Sequence, residues 1–137
     1  MIQKNKTFLK MFILELEDLH QDIKLLIERY KDAREHESIT NYVFMENIAL
    51  MKNELFGIDS FHSEVKNLKP DNFSDIDELI AYCRQLLTKR CQEKGIAPSA
   101  IVLAERKMKK ILTYIDRQQE ESCSSTLDGM SALHSSL

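Results

Sequence analysis

Two short segments carry the residue types that could do chemistry. Glu17-x-x-His20 and Asp59-x-x-His62 each place an acid and an imidazole three residues apart. On a helix that spacing brings both side chains to one face, and it is the spacing of the ligand pairs in di-iron carboxylate bundles. Such a centre also needs inward-facing Glu residues from two further helices. Glu17, however, projects away from the apolar stripe of its segment, and His20 lies at the edge of that stripe. Both pairs therefore read as surface or boundary residues, and neither a metal nor a cofactor is expected. Glu35-His36-Glu37 lies in a polar turn with no fixed geometry and reads as solvated charge.

The thiols are a second candidate. Cys83 and Cys91 lie eight residues apart on one expected helix, about 12 Å at 1.5 Å per residue, too far for a disulfide. With Cys123 the count is three, an odd number that does not make a disulfide framework, so a reducing cytoplasm is the natural setting. Lys89, Arg90 and Lys94 surround Cys91 in sequence and would favour a thiolate, but no histidine is placed to activate it. Cys83 occupies a core position. The chain holds no Gly-rich phosphate loop, no G-x-S-x-G and no H-E-x-x-H. A protein without catalytic residues is the expectation.

The third pattern spans 84–110. Cys91, Gly95, Ile96 and Ile101 fall at spacings like those of a helix-turn-helix, and Arg106, Lys107, Lys109 and Lys110 follow as a basic patch able to neutralise phosphates. Against this, Lys94 stands where such motifs place an apolar residue, and the basic cluster begins mid-helix rather than in the N-terminal turns. Net charge is −3, made of −6 over 1–83, +6 over 84–117 and −3 over 118–137. An acidic balance disfavours nucleic acid as the main partner. A DNA-binding regulator is therefore the alternative rather than the leading expectation.

The elements that must position these residues are helical. Three Gly, two Pro and no Trp leave too few turn residues for an all-β chain of 137 residues. Leu9, Phe12, Leu16, Leu19, Ile23, Leu26, Tyr30 and Ala33 recur at spacings of three and four, which predicts a helix from about 5 to 35. A turn is expected near 36–39, with Ser38, Thr40 and Asn41 as possible N-caps; the alternative is one helix continuing through the region. The next helix, about 40–67, has two apolar stripes: Phe44, Ile48, Met51, Leu55 and Ile58, and Tyr42, Met45, Ala49 and Phe56. Gly57 inside it marks a kink or break. Ser74 with Asp77 resembles a capping box that opens a third helix near 75, which Gly95 ends. A fourth starts at Pro98 and ends near 118.

The fold class expected is all-α, an antiparallel bundle of three to four helices with a long N-terminal helical hairpin. Residues 1–119 would form the single domain, and 120–137 a Ser-rich disordered tail. No stretch reaches the length of a membrane span and no signal peptide is evident, so a cytoplasmic location is expected. Met11, Leu14 and Leu25 lie off the first stripe, and Tyr42, Met45 and Phe56 belong to the second face of the next helix. This surplus predicts an exposed apolar patch and a protein partner or second copy to cover it. The hairpin would form that interface, with Leu9, Phe12, Leu16, Leu19, Phe44, Ile48, Met51 and Leu55 as its spine. The function expected is thus a non-enzymatic interaction module: an adaptor, chaperone-like binder or regulatory subunit that self-associates as a dimer.

Overall fold

The computed structural model describes residues 2–36 and 39–127. Among them are four α-helices, one 3-10 turn and no strand: α1 (Ile2–Glu35), α2 (Asn41–Lys66), the turn Pro70–Asn72, α3 (Ile76–Lys94) and α4 (Pro98–Leu127). Helices 1 and 2 are separate. Thr40 opens α2 as its N-cap, its hydroxyl accepting from the Val43 N–H at 3.2 Å. The cap of α3 lies one residue beyond the expected box: Asp75 accepts the Glu78 N–H at 2.8 Å, and the Glu78 carboxylate accepts the Ser74 N–H at 2.9 Å. This is a variant of the capping box, the glutamate at the third helical position reaching back to the residue before the cap. Gly95 closes α3 in the left-handed region at φ 64°, which costs glycine nothing. Helix α4 continues to Leu127, so residues 120–127 of the Ser-rich segment are helical; residues 128–137 lie outside the described part.

The helices pack antiparallel. Across α1 and α2 the facing residues are Glu17 with His62 and His20 with Asp59. Glu15 of α1 meets Lys107 and Lys110 of α4, and Glu64 of α2 meets Arg90 of α3. The core is a continuous column built from all four, including Phe8, Phe12, Leu16, Ile58, Phe61, Leu79, Leu87, Met108 and Ile111. Below it the 70–73 loop folds under the start of α1. Asn5, fully buried, donates from Nδ2 to the Pro70 and Phe73 carbonyls at 3.2 and 3.1 Å.

Two expectations are corrected by the packing. Leu9, Phe12, Leu16, Leu19, Ile48 and Met51 are buried inside this one chain, so they are core and cannot form an outer interface spine. Gly57 does not break α2, which runs continuously from Asn41 to Lys66. A Cβ there would stand 2.5 Å from Ile96 Cγ2 and 3.0 Å from Ala100 Cβ. The missing side chain is what lets α4 close on α2.

Candidate functional site

The height at which α3 turns into α4 decides what the hairpin exposes. Asn53 on α2 clasps that turn with both ends of its amide: Nδ2 donates to the Gly95 carbonyl at 3.1 Å, and Oδ1 accepts the Ala97 N–H at 2.6 Å. Above Asn53 the remaining α2 residues back to Asn41 rise a further 18 Å or so without α3 or α4 beside them. The opposing end of α1 goes with them. The two helices project as an arm.

The stripe that the base covers continues bare along this arm. Val43, Leu50 and Gly57 lie seven residues apart on one face of α2. Gly57 is buried against Ile96 and Ala100, whereas Leu50 is 47% and Val43 39% exposed. On α1 Leu19 is buried, while Leu26, seven residues on, is 44% exposed.

Of the interface residues named from sequence, Leu14, Leu25, Tyr42, Met45 and Phe56 are exposed, while Met11 packs against the core. They do not form one surface. Leu14 and Leu25 lie along the outer side of α1; Tyr42, Met45 and Phe56 follow the flank of α2. The Phe56 ring is partly capped by Lys94, whose ammonium lies 5.8 Å from its centroid. Leu26, Val43 and Leu50 were not singled out. Leu26 was expected inside because a strict heptad continues through it. A straight helix drifts from that repeat, so the buried position after Ile23 is Ile27 instead. The seven-residue step back from Gly57 was the available signal for Leu50 and Val43.

The acid–imidazole pairs cross-connect. His20 Nδ1 lies 2.7 Å from Asp59 Oδ1, and His62 Nε2 lies 2.9 Å from Glu17 Oε2. Each motif thus supplies the other's partner across the hairpin, beside a cleft of about 660 Å³ between α1 and α2. Among the described residues no group of three or more His, Cys, Asp or Glu side chains is placed to hold one metal ion. The chemistry of the pairs is that of a latch: they fix which residues of α1 face which of α2.

The basic patch divides. Lys107 and Lys110 both reach Glu15, at 3.2 and 2.8 Å, and the Glu15 side chain is only 15% exposed. The Lys110 hydrogen bond holds the Glu15 carboxyl below the ordinary carboxylate range, with Lys107 adding to it and burial opposing. Arg106 and Lys109 remain exposed and without an ion pair among the described residues. Helices α3 and α4 lie side by side, since Arg84 Nε is 3.8 Å from Glu105 Oε1. By helical rise Arg84 lies about 15 Å before the end of α3 and Glu105 about 10 Å after the start of α4. Burial pushes the Cys83 thiol up to about 12 and raises Cys91 as well, the direction opposite to that of a thiolate.

No protein-family model matches the chain, and neither a curated protein nor a solved structure shows significant similarity to it. Among the described residues no helix is long and apolar enough to cross a membrane.

Proposed function

We propose that the chain is a non-enzymatic helical interaction module, an adaptor, chaperone-like binder or regulatory subunit working in the cytoplasm, whose binding element is the α1–α2 arm. One observation carries this: Leu26, Val43 and Leu50 occupy the face that α3 and α4 bury lower down, and stand bare above the Asn53 clasp. Leaving three aliphatic side chains about half exposed on adjoining stripes forgoes burial that each would gain, on the order of 1 kcal/mol apiece at half the transfer value of a full side chain. Grooves of this kind accept further helices.

A photoreactive benzoylphenylalanine in place of Leu50, compared with the same group in place of Lys109, tests the assignment in cells. Discrete crosslinked protein products at position 50 that are absent at 109 are expected. Identical products at both positions, or none at 50, would overturn it.

A further inference from the structure

We infer that the cleft between α1 and α2 takes up a divalent transition ion on two imidazoles, those of His20 and His62. This does not rest on the arm. Asp59 and His62 follow Asn53 on α2, on the base side of the clasp.

The hydrogen bonds fix what each ring can offer. A carboxylate only accepts, so the nitrogen that touches it carries the proton. Nδ1 of His20 donates to Asp59 Oδ1 at 2.7 Å, and Nε2 of His62 donates to Glu17 Oε2 at 2.9 Å. In a neutral ring the second nitrogen then bears a bare lone pair, Nε2 in His20 and Nδ1 in His62. An imidazole whose N–H is held by a carboxylate is the usual form of a metal-binding histidine, because that bond fixes the tautomer and raises the basicity of the opposite nitrogen. Glu17 projects from the apolar stripe of α1, which argues against it as a ligand; the same position brings it to His62 as an orienting carboxylate.

The crossing sets the two rings side by side. Each histidine reaches an acid on the opposite helix, so both rings lie in the gap between α1 and α2. His20 stands at the level of Asp59 and His62 at the level of Glu17, three residues along, about 4.5 Å by helical rise. Two imidazole nitrogens on one ion, each at about 2.0–2.1 Å, stand at most about 4 Å apart, close to that step.

The charge of the cleft agrees. Glu17, Asp18 and Asp59 border it, and no Lys or Arg does so among the described residues. Such a surface draws cations. Imidazole donors select Zn²⁺, Ni²⁺ and Cu²⁺ over Mg²⁺ and Ca²⁺, which prefer oxygen. Among the described residues no third His, Cys, Asp or Glu joins the two rings on one ion, so its other positions stay open to water or to an outside ligand. A two-donor site of this kind is reversible, and it ties α1 to α2 only while the ion is bound.

Titration of the full chain with Ni²⁺ at about pH 7.5, where ordinary imidazole is neutral, is the test, read by calorimetry and by proton NMR of the rings. One ion per chain is expected, with the signals of His20 and His62 broadening together ahead of those of His36 and His134. His20→Gln and His62→Gln should each abolish that uptake. Asp59→Asn and Glu17→Gln, which alter positioning residues, should each weaken it about 10- to 100-fold. All four side chains are at least partly exposed, so the helical circular dichroism of each variant should match that of the native chain. Ni²⁺ should raise the melting temperature of the native chain and leave that of the histidine variants unchanged. No uptake up to millimolar Ni²⁺ overturns the site. So does uptake that survives loss of either histidine, or two ions bound one per ring. Acid variants that bind as tightly as the native chain would overturn the positioning by Glu17 and Asp59.

Discussion

Gly57 and Glu15 show how single residues hold this bundle together. At Gly57 a methyl group would stand 2.5 Å from the buried Ile96 side chain. Gly57→Ala should therefore lose about 1 kcal/mol or more of unfolding free energy in urea, the overpacking cost exceeding the helix-propensity gain of about 1 kcal/mol. An equally stable variant would show that Ile96 yields more easily than its burial implies. Glu15 makes a forecast in acid. Its folded carboxyl titrates below the ordinary range, first through Lys110 and then Lys107, so its contribution is present above the unfolded value and is lost as pH falls through the folded one. Stability of the native chain should drop more steeply below about pH 4.5 than that of Glu15→Gln. Parallel acid unfolding curves would remove Glu15 as the cause.

Among the elements, α2 is two different helices end to end. In its second half Ile58, Phe61 and Val65 are fully buried, while in its first half Tyr42, Val43, Met45 and Leu50 are exposed. Amide exchange should follow that division: amides of 44–52 should open at lower free energy than those of 58–65, both in the monomer at low concentration. Uniform protection along α2 would mean the arm has cover that the packing does not provide. The helices themselves were legible in the sequence because apolar spacing, Gly95, Pro98 and the missing turn residues all agree. The α3 cap was misplaced by one residue because Ser74 and Asp75 are both able caps, and only the Glu78 carboxylate reaching back decides between them. The arm was not legible. Periodicity states which residues share a face, but the height at which α3 ends against α2 is set by Asn53, a polar residue with no distinguishing pattern.

For the whole molecule, part of the charge segregated along the sequence is paired across helices. Lys107 and Lys110 meet Glu15 and Arg90 meets Glu64 of the acidic half, Arg90 and Arg84 also pair with Glu93 and Glu105 of their own segment, and Arg106 and Lys109 stay exposed. The linear contrast between an acidic first half and a basic segment records which helices became neighbours. The crossed His20–Asp59 and His62–Glu17 pairs join α1 and α2 at facing positions of the hairpin.

The low turn of α3 into α4 makes stickiness of the arm a matter of chain length. Seven residues added to the end of α3 and seven to the start of α4, patterned to continue their inner faces, would lift the turn by about 10 Å, roughly two helical turns. Such a roofed chain should melt at a higher temperature and give no crosslinked product from benzoylphenylalanine at position 50. Affinity in this fold would then be something that two matched insertions remove without altering a single residue of α1 or α2.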